Sequence, residues 1–375
     1  EFFEPLNEHS NRIGREIRHY TEEQFEALDA MAANPRVVFT GPAGTGKTLL
    51  AIEAARRAVA NDRKVLFLCF NRGLGTWLNA QLRDLNGMVC ATNLHRHLLA
   101  VANVTLPSNP SAEYWETALP RQAVEKILGE NVATWNFDVL IIDEAQDVLR
   151  NDYLDFFDLQ LEGGLAAGRW RLFGDFEKQA IYGSANIPLP RFLKTRGSNA
   201  PQYSLRINCR NTPRTAALVS LLGGLDPDYS RIRRPDDHVE PQLKYFADED
   251  EEAWLLIQVL ESCYKKSCKG KDIVILSPTL RNPAWKALPE KPWRDRLVRF
   301  EDDASHSGKI RCGSIHAFKG LEAPVIIVTG LKTISDEDAQ ALFYIAVTRS
   351  VSQVFVLLHE SMKQQVKRAI LRKRT

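Results

Sequence analysis

The sequence predicts an α/β fold of two domains, each with a parallel sheet. Three observations indicate this fold: a length of 375 residues, two long stretches that alternate short β-branched apolar runs with glycine turns and helical segments, and strand candidates that are apolar almost throughout. A chain of this length usually forms about two domains. The strand candidates are, in chain order, Val37–Thr40, Val65–Phe70, Val139–Ile142 and Arg169–Phe173 in the first stretch, then Ile273–Leu276, Val325–Val328 and Val354–Leu358 in the second.

The boundary between the domains is expected where glycine, serine, asparagine and proline cluster, between Gly197 and Pro201. We expect an N-terminal extension over 1–11, a first domain over 12–200, a second domain over 201–360 and a basic C-terminal tail over 361–375. Six basic residues and no acidic residue lie in Lys363–Thr375.

The composition indicates a folded protein, because 44% apolar and 26% charged residues exclude disordered, collagenous and coiled-coil chains. No apolar run reaches the roughly 18 residues that a membrane helix needs, and no signal-peptide pattern is present, so we predict a cytoplasmic protein without a membrane partner. The six cysteines are scattered and are expected to be free thiols. The net charge of +2 requires that any contact with nucleic acid be local.

A glycine-rich loop joins the first strand candidate to a helical segment. Residues Gly41 to Thr48 read GPAGTGKT, the full G-x-x-x-x-G-K-[ST] pattern. Its glycines, Gly41, Gly44 and Gly46, allow backbone N–H groups to surround nucleotide phosphates. Lys47 is expected to reach the β- and γ-phosphates, and the Thr48 hydroxyl is expected to ligate Mg²⁺. The motif therefore predicts a site for ATP and Mg²⁺.

An acidic motif, FDVLIIDEAQD, ends another strand candidate. Asp143 is the expected second ligand of the Mg²⁺ ion that Thr48 binds. Glu144 is the expected general base, because a carboxylate within hydrogen-bond reach of the attacking water can polarise it. Acidic residues at the end of a buried strand are costly unless they meet a cation, which supports this interpretation.

At DEAQD the chain resembles the UvrD/Rep-type superfamily 1 helicases, and further segments resemble the other motifs of that family in the same order. YTEEQ resembles the Gln motif, which implies that Gln24 contacts the adenine. LCFNRGLG and ATNLHRH resemble two segments on the nucleic-acid face, which implies strand contacts by Phe70, Asn71 and His95. A buried, structural His95 is the alternative interpretation.

GDFEKQAIYG resembles the family's G-D-x-x-Q-x-I-Y-G motif. The resemblance implies that Gln179 senses the γ-phosphate and that Tyr182 lies near the bases. The chain departs from the pattern at two points: one extra residue separates Asp175 from Gln179, and Ser184 stands where the family has tryptophan.

Three motifs of the second stretch complete the resemblance: LRINCRNT, SIHAFKGLE and ALFYIAVTRS. They imply that Arg210 and Arg349 place positive charge on the γ-phosphate, that Glu322 lies at the nucleotide, and that His316 faces the strand. Arginine suits the first role because its planar fork stays charged and offers several donors to phosphate oxygens.

The resemblance runs from about Tyr20 to Leu358 and implies two RecA-like P-loop domains with small or absent accessory insertions. Such a chain is a minimal two-core motor, similar to the helicase regions of nuclease-related-domain fusions. The family implies ATP-driven 3′ to 5′ movement on single-stranded nucleic acid and favours DNA over RNA. The residues themselves leave DNA and RNA open, because no base-reading motif is present.

Two alternatives belong to other functional classes. One is an ATP-driven switch that senses nucleic acid and controls a partner or fused nuclease, in DNA repair or phage defence, without processive unwinding. The first residue is not Met, which fits a chain that is part of a longer fusion. The other is a module that binds nucleotide without hydrolysing it, which the occupied catalytic positions disfavour.

Overall fold

The computed structural model describes residues 19, 24–85, 87–130, 136–177, 186–225, 228–300 and 308–372. Contacts divide these residues into two compact units. The N-terminal unit covers 24–42 and 46–205, and the C-terminal unit covers 43–45 and 206–372. The domain limits 12–200 and 201–360 stay predictions.

The N-terminal unit contains a six-stranded parallel sheet in the order β3-β2-β4-β5-β1-β6. All residues of β2 and β4 are buried, which explains why their sequences are continuously apolar. The strands are β1 (Arg36–Thr40), β2 (Val65–Cys69), β3 (Val89–Asn93), β4 (Val139–Asp143), β5 (Arg169–Gly174) and β6 (Gln202–Ser204).

Helices pack on this sheet around a core that includes Trp170, Phe156 and Phe157. Two of the helices begin with an asparagine cap, Asn71 and Asn93, whose side chain accepts a backbone N–H three residues on. The helices are α1 (Glu26–Ala30), α2 (Lys47–Val59), α3 (Arg72–Gln81), α4 (Leu94–Ala102), α5 (Leu119–Glu130), α6 (Asn151–Gln160), α7 (Gly164–Ala167) and α8 (Leu189–Thr195).

The C-terminal unit contains a second six-stranded parallel sheet, in the order β11-β12-β10-β13-β14-β9, and a separate short pair, β7-β8. The strands are β7 (Ile207–Asn208), β8 (Arg231–Ile232), β9 (Gln242–Phe246), β10 (Ile273–Ser277), β11 (Leu297–Arg299), β12 (Ile310–Ser314), β13 (Ala323–Leu331) and β14 (Ser350–His359). Two parallel sheets with helices between their strands confirm the predicted α/β class and the two RecA-like domains.

The helices of this unit are α9 (Pro213–Leu222), α10 (Glu249–Lys265), α11 (Glu337–Thr348) and α12 (Lys363–Arg372). Asp248 caps α10, and the first turn of α10 is acidic, as the positive end of a helix dipole favours. In the segment from 278 to 309, Ala284, Trp285 and Trp293 pack into the core of the sheet, and β11 forms its edge strand. The described part of this segment is thus integrated into the second unit.

Parallel strands bring the candidate site residues of the N-terminal unit to one edge of its sheet. Thr40 pairs with Gly174, and Asp143 lies beside Phe173, so the loops after β1, β4 and β5 leave the sheet side by side. Ligands bind at this carboxyl edge in open α/β sheets. The six cysteines are free, as predicted. Across the described residues, no helix is long and apolar enough to cross a membrane.

Candidate nucleotide and nucleic-acid site

The glycine-rich loop has the backbone that its sequence predicts. Gly46 is the N-cap of α2 and has φ +82°, a left-handed conformation that a side chain would strain. A Cβ at Gly41 would lie 2.3 Å from the carbonyl oxygen of Leu205. Gly44 also has a positive φ, +81°, and is counted with the C-terminal unit.

Lys47, the first residue of α2, is 7% exposed. Its Nζ donates to the carbonyl oxygens of Gly41, at 2.7 Å, and of Pro42, at 2.9 Å. Phosphate oxygens are stronger acceptors for an ammonium group than neutral carbonyls are. The ammonium therefore lies among acceptors that nucleotide phosphates can replace.

Thr48 and Asp143 meet at the end of β4. The Thr48 hydroxyl donates to Asp143 Oδ2 at 2.6 Å, and Asp143 is fully buried. Burial, and next the charge of Glu144, raises the pKa of Asp143 to about 6, while the Thr48 hydrogen bond and Lys47 lower it. A bound cation would relieve this cost.

The donors of this pair fit Mg²⁺, which prefers oxygen ligands and keeps several waters beside one or two protein ligands and substrate phosphates. The described residues contain no cluster of three or more His, Cys, Asp or Glu side chains placed to hold a metal. One carboxylate and one hydroxyl fit a Mg²⁺ ion that also binds a nucleotide.

Glu144 has a left-handed backbone, with φ 53° and ψ 43°, and it is 5% exposed. A non-glycine residue in this region carries strain, which is frequent at functional sites. Its backbone N–H donates to Asp143 Oδ1 at 3.0 Å, and Gln146 Nε2 donates to its carboxylate at 2.6 Å. Gln146 thereby fixes the direction of the candidate base.

Gln146 connects the loops after β4 and β5. Its Oε1 accepts the backbone N–H of Asp175 at 3.1 Å, while its Nε2 holds Glu144. A Cβ at Gly174 would lie 2.6 Å from that same Oε1. Sequence reasoning assigned no role to Gln146, although its place inside DEAQD was the available signal. Gln179 and Tyr182 lie outside the described residues.

Phe70 and His95 lie in an aromatic cluster at the ends of β2 and β3. The ring centroid of His95 is 5.0 Å from Phe70 and 4.8 Å from Trp115, and its Nε2 is 3.1 Å from the Tyr153 hydroxyl. Burial lowers the pKa of His95 to about 4, so its ring is neutral at pH 7. His95 thus packs among aromatic side chains, and its contact with a strand stays a prediction. Trp115 and Tyr153 are members of this cluster that the motifs did not indicate.

Two further candidates of this unit have local structural contacts. The Asn71 side chain caps α3 by accepting the Leu74 N–H at 3.1 Å. Gln24 is buried just before α1, and its carbonyl accepts the Ala27 N–H at 2.9 Å. Their roles at the strand and at the adenine stay predictions.

In the C-terminal unit, Arg210 and Glu322 form an ion pair, with 2.6 Å between Arg210 Nε and Glu322 Oε2. Arg349 directly follows the last residue of α11 and is 2% exposed. Its Nε donates to the Ile345 carbonyl at 3.1 Å. The carbonyl oxygen of Arg349 accepts the N–H of Ala323, the residue after Glu322. Both arginines therefore bond residues at the start of β13: Arg210 through its side chain to Glu322, and Arg349 through its carbonyl oxygen to Ala323.

Asn208 and Asn211 order the backbone around these arginines. Asn208 Oδ1 accepts the N–H groups of Arg210, at 2.9 Å, and of Asn211, at 2.8 Å. Asn211 Nδ2 donates to the carbonyls of Thr348, at 3.3 Å, and of Ser350, at 2.8 Å, on either side of Arg349. The two asparagines thus link the segments that carry the two arginines.

His316 begins a short 3₁₀ turn after β12 and is half-buried. Burial, with a smaller contribution from Lys319, lowers its pKa, so the ring is neutral at pH 7. Its contact with a strand stays a prediction.

Two protein families match the chain. The UvrD-like helicase C-terminal domain matches residues 309–357, which include His316, Glu322 and Arg349, and the PhoH-like protein family matches residues 16–74, which include the P-loop. The chain is therefore similar to PhoH-like proteins over the first of these segments and to UvrD-like helicases over the second.

Solved structures similar to this chain include the arterivirus nonstructural protein 10 helicase, alone and in complex with DNA. Sequence identity is 15% in both comparisons, with TM-scores of 0.44 and 0.41. The alignments cover 92% and 88% of this chain and 63% and 62% of the viral chains, so the chain spans less than two thirds of their length. No curated protein matches the chain.

Proposed function

We propose that the chain is an ATP-dependent motor that couples ATP hydrolysis to 3′ to 5′ movement on single-stranded DNA. The observation that carries the proposal is the arrangement at the end of β4: the Thr48 hydroxyl lies 2.6 Å from Asp143, and Gln146 holds the adjacent Glu144. This arrangement supports the proposal, because ATP hydrolysis requires a pair of metal ligands beside an oriented carboxylate.

Each candidate site residue described in the N-terminal unit has a proposed role in the reaction. The P-loop and Lys47 would bind the phosphates, and Thr48 and Asp143 would hold Mg²⁺, which would supply positive charge to the phosphates. Glu144 accepts a proton from the attacking water, and Gln146 keeps its carboxylate oriented during this transfer. Arg210 and Arg349 of the C-terminal unit are proposed to stabilise the charge that develops on the γ-phosphate.

The proposed strand contacts are the aromatic cluster and His316. Phe70 and Trp115 are half-buried, so part of each ring is accessible for stacking on a base. Stacking is tolerant of sequence, because every base has a π-face, and phosphate contacts supply most of the affinity. We expect His95 to support strand binding mainly by holding the rings of Phe70 and Trp115 in place, and less by contacting the strand itself.

The second candidate is an ATPase switch that closes on nucleic acid without processive unwinding. The observation that favours it is the packing of the two segments where larger helicases carry accessory domains. Leu119 and Ala123 lie in the core of the N-terminal unit, and Trp285 and Trp293 lie in the core of the C-terminal unit. The described parts of both segments cover their own sheets.

Steady-state ATP hydrolysis by the chain, with and without single-stranded DNA or RNA, tests the motor proposal. A motor shows turnover that rises with DNA and separates the strands of a short forked duplex with a 3′ tail. Turnover that rises with DNA in the absence of strand displacement or translocation supports the switch. Hydrolysis that neither nucleic acid changes contradicts the motor.

A further inference from the structure

Arg234 is a buried arginine in a charged surface loop. It is 5% exposed, whereas its neighbour Pro235 is exposed. Arginine is rarely buried unless its donors are satisfied. The environment of this side chain therefore requires an explanation.

One nitrogen of Arg234 donates to two carbonyls that are distant in sequence. Nη1 bonds the carbonyl oxygen of Arg210 at 2.9 Å, and it also bonds that of Val351. Arg210 is one of the two proposed catalytic arginines, and Val351 lies two residues beyond the other, Arg349. Arg234 therefore bridges the backbones of the two segments that carry these arginines.

The bridge extends the network of Asn211. Asn211 fixes the carbonyls of Thr348 and Ser350, and Arg234 fixes the next carbonyl, that of Val351. Three carbonyls around Arg349 are thus held by side chains from the segment between 211 and 234. Such a buried network has few alternative arrangements, because each unmade bond leaves a polar group without a partner.

A guanidinium group suits this task better than an ammonium group. Each terminal nitrogen carries two N–H donors in a fixed plane, so a single Nη can hold two carbonyls at a set angle. Lysine at this position would keep the charge but lose the fixed directions of the donors.

We propose that Arg234 is a positioning residue that sets the backbone of Arg210 and Arg349 for phosphoryl transfer. The inference rests on the proposed ATPase function, because it is that reaction in which the two arginines act. Misplacement of a catalytic group by about 1 Å costs on the order of a hundredfold in rate. We therefore expect Arg234→Gln to lower kcat at least tenfold.

Nucleotide affinity in Arg234→Gln should change much less than kcat. The Lys47 ammonium bonds the carbonyls of Gly41 and Pro42, whereas Arg234 bonds those of Arg210 and Val351, so KM for ATP should change less than threefold. Arg234→Lys should recover less than half of the lost turnover. The matched control is Arg214→Gln: the guanidinium of Arg214, on α9, bonds Asp236, His238 and Glu240 of the same loop. The control should keep wild-type kcat.

The experiment measures kcat and KM, the thermal midpoint of unfolding, and amide hydrogen exchange of peptides covering 208–212 and 346–352 in all four proteins. Faster exchange in both peptides of Arg234→Gln, a kcat loss and an unchanged KM support the proposal. Wild-type exchange and kcat in Arg234→Gln overturn it, and so does an equal loss in Arg214→Gln. If Arg234→Gln fails to fold, Arg234→Lys with wild-type kcat and exchange overturns it.

The two proposals fail in different ways. A wild-type chain that hydrolyses no ATP contradicts the proposed function and removes the kinetic consequence. The exchange measurement then still decides whether Arg234 orders the two arginine segments. Unchanged exchange in an active protein contradicts the positioning role alone.

Discussion

In the DEAQD segment, the candidate general base and the residues that support it lie within four positions. Asp143 binds Thr48, Glu144 has a strained backbone, and Gln146 links Glu144 to Asp175. A strained conformation persists only when its surroundings determine it. The residues that hold Glu144 in this conformation should therefore affect its proposed role as base as much as its own carboxylate does.

Substitution of Lys47 or Glu144 should stop turnover in two different ways. Lys47→Ala removes the ammonium that meets the phosphates, so both nucleotide affinity and kcat should fall. Glu144→Gln keeps the size of the side chain and loses the base, so ATP should still bind while kcat falls at least a hundredfold, the scale of general-base catalysis. Binding of a fluorescent ATP analogue and steady-state hydrolysis measure the two effects. Turnover of Glu144→Gln within severalfold of wild type would exclude its role as base.

Gly174→Ala should displace Gln146 and lower kcat. The added Cβ would lie 2.6 Å from Gln146 Oε1 and 2.8 Å from the Phe176 ring, so both side chains must move or the backbone of residue 174 must shift. The control is Gly129→Ala, in α5, where a Cβ meets nothing within 4 Å. That change should be neutral or should stabilise the fold by about 0.5–1 kcal/mol, because alanine favours a helix. Equal kcat values of the two variants would exclude steric coupling through Gln146.

At the residue scale, sequence analysis selected Lys47, Thr48, Asp143 and Glu144 as candidates, because each belongs to a motif in which adjacent residues suggest the role; these roles stay predictions. It did not identify Gln146 or Arg234. The contacts of Arg234 join carbonyls 24 and 117 positions away, and nothing in the local pattern of a charged loop indicates such partners.

At the element scale, α4 and α6 of the N-terminal unit meet through a buried polar pair. His97 Nε2 lies 2.8 Å from Gln160 Oε1, between the rings of Phe137 and Phe156. Burial lowers the pKa of His97 to about 4, while the hydrogen bond to Gln160 raises it. The contact between the two helices therefore depends on a neutral histidine.

The stability of this unit should fall as the pH decreases from about 6.5 toward 4. In that range the unfolded chain binds a proton at His97 and the folded chain does not, so unfolding is favoured by up to about 1.4 kcal/mol per pH unit. Urea unfolding of wild type and His97→Gln at pH 7, 6 and 5 measures this slope. The variant should have a slope lower by up to one proton. Identical slopes in both proteins would show that His97 does not cause the dependence.

Sequence analysis found the central strands and missed several edge strands, for a physical reason. β2, β4 and β10 are buried on both faces, so their residues are apolar throughout. β6 and β11 have three residues each and are largely exposed or half-buried, so their sequences carry no apolar run. Their pairing depends on the neighbouring strand more than on their own composition.

At the scale of the whole molecule, a chain with a net charge of +2 should hold a nucleic-acid strand weakly. The logarithm of the binding constant should fall by roughly 0.7 for each tenfold increase in salt per phosphate neutralised, and two small units should neutralise few phosphates. Fluorescence anisotropy with single-stranded DNA at several salt concentrations measures this slope. A steep slope, or robust unwinding of long duplexes by the chain alone, would contradict a minimal motor.

The order of strands in the N-terminal sheet also determines when that sheet can form. β1 comes first along the chain, yet Val38 is paired with Leu172 of β5 on one side and Gln202 of β6 on the other. The contact order of this unit is therefore high, which slows folding. During synthesis on the ribosome, the strand that ends in the P-loop has neither of its neighbours until β5 and β6 have emerged, and an unpaired apolar strand is prone to aggregate. Expression of chains cut before β6 should therefore yield insoluble protein, although they contain the whole P-loop.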